Sequence, residues 1–242
     1  AEFAAKGWLQ PLKDQLAMDT SKMLPATVKT GTYNNTLYAV PYASDGGLLY
    51  YRKDLVPNPP KTWDEMMGMC SIAKKNNMDC YAGQFAKYEG LTVNFAEAVQ
   101  AAGGEIMTDN GTKVALGAPA VQGLSFLADG FKQGLIPKQA ITYKEQESQR
   151  AFVSGKLMFL RNWPYVYALA AKDEPANKVR GKFGVAPLPG ITGPGSSSLG
   201  GLNFAVSAYS KKQKSAIEFV KFATNQENAK EMVSLTGNAP AW

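Results

Sequence analysis

The sequence predicts an α/β fold on three observations. Strand-like and helix-like runs alternate along the chain, hydrophobic residues make up 45% against 19% charged, and 242 residues are enough to bury a sizeable core in one or two domains. The Gly-, Ser- and Pro-rich stretch GITGPGSSSLGG (190–201) interrupts that alternation and reads as a flexible connection.

The opening residues, AEFAAKGWLQPL, read as the inside of an amphipathic helix; they have no charged n-region and no apolar h-region of a targeting signal. LYAVPY (37–42) and GLLYYRK (47–53), rich in Tyr, Val and Leu and punctuated by Pro or Gly, predict strands. After PNPP, Thr62-Trp63-Asp64-Glu65 forms a capping box that opens a helix with Trp63, Met66, Met67, Cys70 and Ala73 on one face. Pro119 introduces a second helix, with Val121, Leu124, Leu127, Ala128, Phe131 and Leu135 as its apolar face. A third helix runs from Glu145 to Phe152 and stops at Gly155; the strand KLMFLR (156–161) follows, and Asn162-Trp163-Pro164-Tyr165 lead into another helix. That order places Asn162 and Trp163 at the carboxyl end of a strand, where open α/β sheets present their ligands. KFGVAPL (182–188) and LNFAVSA (202–208) predict further strands, and 214–235, with Ile217, Val220, Ala223, Met232 and Val233, one or two packed helices.

The chain contains no histidine. Ser-His-Asp and Cys-His pairs, HExxH metal sites and imidazole bases are therefore excluded, which leaves carboxylate chemistry, lysine chemistry or binding without turnover. Lys and Arg outnumber Asp and Glu by 26 to 20, but the excess is spread thinly, so a solvated basic surface accounts for it better than a nucleic-acid footprint. No apolar run approaches the ~18 residues that span a bilayer. Cys70 and Cys80 are the only cysteines. They are expected to close a small disulfide loop, against the alternative of two free core thiols, and their spacing fits neither a CxxC redox motif nor a zinc site.

The glycine-rich segments lack the order and the lysine of a phosphate loop. Glu145 with Glu147, or Asp45 with Glu89, could act as a glycosidase pair, although solvated helix carboxylates explain the first two as well. Tyr88, Trp163, Tyr165 and Tyr167 stand beside the polar residues Glu89 and Asn162 in predicted loop or strand-end positions. A sugar presents an apolar C–H face and a rim of hydroxyls, so it calls for a flat ring beneath it and Asp, Glu or Asn around it. Core packing explains any one of these aromatics equally well; together, without imidazole machinery, they point to a carbohydrate-binding cleft.

The run LYAVPYASDGGLLYYRKDLVPNPPKTWDEM, then AAGGEIMTDNGTKV, AFVSGKLMFLRNWPYVYA, FGVAPLPG and GGLNFAVSA, resembles the extracytoplasmic sugar-binding proteins of ABC importers, the maltose-binding-protein-like family. In EFAAKGW, YEGL, NWP and GGLN it is similar, more narrowly, to the trehalose-binding lipoproteins of actinobacteria. The likeness covers essentially the whole chain. It implies a two-lobed α/β fold of type II with a sugar cleft between the lobes. Set against the family pattern, the chain is expected to be a central fragment lacking the N- and C-terminal parts of the fold.

The resemblance implies that residues 1–43 and 199–242 belong to the first lobe and 44–198 to the second, with hinge crossings near 44–46 and 190–200. It places Glu2 and Asp45 as carboxylates toward sugar hydroxyls, and Tyr88-Glu89 as an aromatic and acidic loop. Asn162, Trp163 and Tyr165 match the loop that supplies the stacking ring, which is either Trp163 or Tyr165. Gly201-Leu202-Asn203 matches a loop whose backbone faces ligand, and Glu145 an acidic position of the trehalose binders. The implied function is capture of a di- or oligosaccharide, an α-glucoside such as trehalose or maltose, by lobe closure, with delivery to the permease's membrane subunits. No catalysis, cofactor, metal or nucleic acid is implied; the chain is expected to be a monomer, extracytoplasmic and lipid-anchored in its precursor. The alternatives are a glycoside hydrolase using two of Glu2, Asp45, Glu89 and Glu145, and a binder of another solute.

Overall fold

The structure, a computed structural model, describes residues 1–12, 14–16, 18–108 and 111–242. The chain divides into two units, Ala1–Asp45 with Leu199–Trp242, and Gly46–Ser198.

The first unit opens with one helical turn, α1 (Glu2–Ala5), shorter than the amphipathic helix read from the sequence because Gly7, at φ 69°, turns the chain away. Pro25 opens α2 (Pro25–Thr30) at a position where its missing N–H leaves no helical bond unmade. Strands β1 (Thr32–Tyr33) and β2 (Thr36–Leu37) form an antiparallel hairpin. Asn34 and Asn35 both have positive φ, the conformation a two-residue type I′ turn demands. β3 (Ala39–Gly46) follows. The strand expected over 37–42 is thus divided at Tyr38: its N–H and that of Ala39 both donate to the Gly31 carbonyl.

In the second unit, β4 (Leu48–Arg52) leads to α3 (Trp63–Lys75). The capping box forms as the spacing dictates, with Thr62 Oγ1 accepting from the Glu65 N–H at 3.2 Å and Glu65 Oε2 accepting from the Thr62 N–H at 3.3 Å. Next come β5 (Asp79–Ala82), α4 (Glu89–Ala101), the short strands β6 (Met107–Thr108) and β7 (Lys113–Val114), and α5 (Ala118–Lys132). A disulfide between Cys70 and Cys80 ties α3 to β5. The unit ends with α6 (Glu145–Val153), β8 (Leu157–Asn162), α7 (Val166–Ala171) and β9 (Phe183–Ala186). Its sheet has the order β5-β8-β4-β9; β8 runs parallel to β5 and antiparallel to β4. As an inner strand, β8 buries all six of its residues.

The buried face of α5 differs from the one periodicity suggested. Ala120, Gly123, Leu127 and Gly130 face inward, and Gly123 lets α4 approach closely, since a Cβ there would meet the Ala98 backbone; Val121 and Leu124 are exposed. The glycine-rich stretch is also more built than a flexible connection. The Gly190 N–H donates to the Lys61 and Gly193 carbonyls, the Gly190 carbonyl accepts from the Trp63 N–H, and the Gly195 N–H donates to the Leu188 carbonyl.

Returning to the first unit, β10 (Leu199–Ala205) lies hydrogen-bonded beside β3, and α8 (Gln213–Thr224) and α9 (Gln226–Thr236) follow. Asn225 separates the two helices and caps the second, its Oδ1 accepting from the Asn228 N–H at 2.8 Å. Each unit has its own apolar core: Leu12, Leu16, Met23, Val40, Ile217 and Val220 in the first, and a larger one around Leu49, Tyr50, Met66, Phe152 and Phe159 in the second.

Candidate functional site

Strand β8 ends at Asn162, and the next residues leave the sheet because Pro164 cannot continue its ladder. Asn162 is fully buried and its amide is committed inside the protein. Its Nδ2 donates to the Glu145 carbonyl at 3.1 Å and to Ser148 Oγ at 3.2 Å, while its Oδ1 accepts from the Trp163 N–H at 2.8 Å. The expectation that Asn162 bonds sugar hydroxyls therefore gives way to another role: it fixes the start of α6 and the backbone of Trp163. From β4, the Tyr50 hydroxyl reaches the same loop, donating to the Trp163 carbonyl at 2.8 Å. The Trp163 ring, half-buried, stacks on the Arg161 guanidinium with 3.9 Å between the guanidinium carbon and the ring centroid.

The N-terminal turn of α6 lies against that loop. Lys144, Glu145, Gln146, Glu147 and Tyr165 line an opening of about 460 Å³. The Glu147 carboxylate accepts from the Lys144 N–H at 3.1 Å, and this bond holds its pKa below the ordinary carboxylate range. Burial, and then the charge of Glu145, push the Tyr165 phenol up to about 12. The Tyr88 phenol is raised for the same reasons; its hydroxyl is buried without a well-formed hydrogen bond although Glu145 is close enough to perturb it. Lys144 Nζ stands 5.2 Å from the centroid of the Tyr88 ring. The second unit thus sets the Tyr88 and Tyr165 phenols near the Glu145 carboxylate, and Trp163 precedes Tyr165 on the loop that leaves β8. Tyr88 ends the turn that precedes α4, and the exposed Glu89 is the first residue of that helix.

The first unit holds the remaining expected residues. Glu2 is exposed in the only turn of α1 and pairs with Lys6 at 2.7 Å. Asp45, on β3, is half-buried, and burial pushes its carboxyl above the ordinary range. Gly201, Leu202 and Asn203 lie inside β10 rather than in the loop the resemblance implied, because β10 starts at Leu199. Leu202 is exposed, and Asn203 Nδ2 donates to Thr30 Oγ1 at 2.9 Å.

Sequence reasoning missed Lys144, Ser148, Gln84, Glu97 and Arg161. Of these only Arg161 carries a local signal, a cation closing the otherwise apolar run LMFLR. Among the described residues no group of three or more His, Cys, Asp and Glu side chains could hold a metal ion, and no helix is long and apolar enough to cross a membrane.

The profile of a family described as "Bacterial extracellular solute-binding protein" matches residues 1–230. The chain is 36% identical over 244 residues to a "Probable ABC transporter-binding protein" of Deinococcus radiodurans, a match that covers 89% of this chain and 56% of that protein. It is 28% identical over 248 residues to a "Maltotriose-binding protein" of Pyrococcus abyssi, covering 99% of this chain and 52% of that protein. Among solved structures, "Maltose bound T. maritima MalE3" matches with a TM-score of 0.91 and 34% identity, over 99% of this chain and 63% of that one. The chain spans about half the length of the curated relatives it matches.

Proposed function

The chain belongs to the bacterial extracellular solute-binding protein family, and from that premise we propose that it captures a di- or oligosaccharide for an ABC importer and hands it to the permease's membrane subunits. The observation that carries this reading is the half-buried Trp163 ring at the end of β8, on the loop whose Tyr165 lines an opening together with Glu145. An indole face suits the C–H face of a pyranose, and a carboxylate next to it suits the hydroxyl rim. Trp163 fits the platform better than Tyr165, whose ring packs against the core.

The proposed sugar is an α-glucoside of the maltose or trehalose kind. Two relatives support the maltose side of this choice, one named for maltotriose binding and one with maltose bound; trehalose rests on EFAAKGW, YEGL, NWP and GGLN. Glu2, Asp45, Glu89 and the backbone of Gly201-Leu202-Asn203 enter the proposal on the resemblance alone, as do lobe closure, a monomeric state, an extracytoplasmic location and a lipid anchor. The reading is of binding without turnover.

Titration calorimetry of the natural full-length protein against maltose, maltotriose and trehalose tests it. At least one sugar should bind, Trp163→Ala should weaken that binding by tenfold or more, roughly the value of one aromatic contact, and a chromogenic α-glucoside should release nothing. Silence toward all three sugars, with tight binding of a peptide or a metal chelate, would sink the proposal.

A further inference from the structure

Arg161 lies in an inner strand with 1% of its side chain exposed. Its Nε and Nη2 donate to the two carboxylate oxygens of Glu97 on α4, at 2.7 and 2.5 Å, and its Nη1 donates to Gln84 Oε1 at 3.0 Å. Gln84 Nε2 in turn donates to the Arg161 carbonyl and to Ser148 Oγ, both at 2.9 Å. Burying such a pair is costly, and well-packed apolar residues in its place are often no less stable. Stability is therefore a weak reason for its presence. What the pair touches is more informative.

On one side the guanidinium carries the Trp163 ring. On the other lie the two segments by which the chain enters and leaves the second unit. The Ser198 N–H donates to Glu97 Oε1 at 3.0 Å. At Gly47 a Cβ would fall 2.7 Å from both Arg161 Nη2 and Glu97 Oε1, so only glycine lets the backbone rest directly on the pair. The Gly47 N–H donates to Ser197 Oγ, which joins entry and exit to each other.

We infer that Arg161 is a positioning residue for sugar capture: held by Glu97 and Gln84, its planar guanidinium fixes the Trp163 ring as the platform and links it to the entry and exit segments at Gly47 and Ser197-Ser198. The inference rests on the reading of Trp163 as the sugar platform given above. It also explains the choice of cation. A lysine would keep the charge but has neither the plane that stacks on indole nor the fork that grips a carboxylate.

The test uses the natural full-length protein in wild-type form, as Arg161→Lys, and as the paired replacement Arg161→Met with Glu97→Leu, which leaves no orphaned buried charge. Maltose, maltotriose and trehalose are titrated by calorimetry, thermal midpoints are recorded, and fluorotryptophan-labelled samples report the Trp163 resonance, assigned by its loss in Trp163→Phe. Both variants should bind the wild type's sugar about tenfold or more weakly and should move the Trp163 resonance, and the paired replacement should do so with its thermal midpoint retained. Wild-type affinity in the folded paired replacement overturns the inference, and so does a lost affinity with an unmoved Trp163 resonance. A wild type that binds none of the three sugars overturns the functional reading and this inference with it. Binding that depends on Trp163 but not on Arg161 overturns this inference alone.

Discussion

A Cβ on Gly201 would lie 2.2 Å from the carbonyl oxygen of Ala43 on the neighbouring strand β3. Gly201 also has φ 123°, a region that L side chains rarely adopt. Close approach and backbone conformation thus demand glycine independently. Gly201→Ala should cost about 1–3 kcal/mol of stability or more, read as a lowered thermal midpoint in circular dichroism. An unchanged midpoint would mean that β10 and β3 are not in this contact.

Helix α5 separates two leucines that its sequence periodicity treats alike. Leu127 is 7% exposed and Leu124 55%. Leu127→Ala should destabilise by about 2–5 kcal/mol as a core truncation, whereas Leu124→Ala should stay within about 0.5 kcal/mol. Urea denaturation of the two variants decides it, and equal losses would restore the face that the sequence suggested.

The disulfide closes a loop between residues ten apart in sequence. On the chain-entropy account, removing it as Cys70→Ala with Cys80→Ala should cost about 3 kcal/mol. A thiol reductant should shift the urea midpoint of the wild type toward that of the double variant and leave the double variant itself unmoved.

Arg52 grips Asp54 with two bonds, Nε to Oδ1 at 2.7 Å and Nη2 to Oδ2 at 2.6 Å. These bonds, with the Arg52 charge, hold the Asp54 carboxyl below its ordinary value. A carboxylate depressed in the folded state adds stability that is fully present above its unfolded pKa of about 3.9 and is lost as pH falls through the lower folded value. Asp54→Asn should therefore lower the thermal midpoint at neutral pH and flatten its decline below about pH 4. A variant whose midpoint falls with pH as steeply as the wild type's would rule this pair out as a source of acid sensitivity.

Signals legible in the sequence were those acting within a turn or a strand. Thr62 and Glu65 announced the start of α3, because a capping box needs only residues three apart. The succession of α6, β8 and α7 placed Trp163 at a strand's carboxyl end without any contact being known. Helix α4 and the Asn34-Asn35 hairpin also carry local signals, in the spacing of Leu91, Phe95 and Ala98 and in the paired asparagines.

By itself, then, the sequence determined the α/β alternation, the capped helix, the absence of imidazole chemistry and the family likeness. Tertiary structure decided which side chains are free to meet a ligand. It spent the amide of Asn162 on Glu145, Ser148 and Trp163, buried Leu127 of α5 while leaving Leu124 exposed, and brought Glu97 to Arg161 across 64 positions of sequence. No periodicity encodes such pairings, because they depend on which elements the sheet order makes neighbours. Inside a core, a polar group must find its partner there or remain unsatisfied.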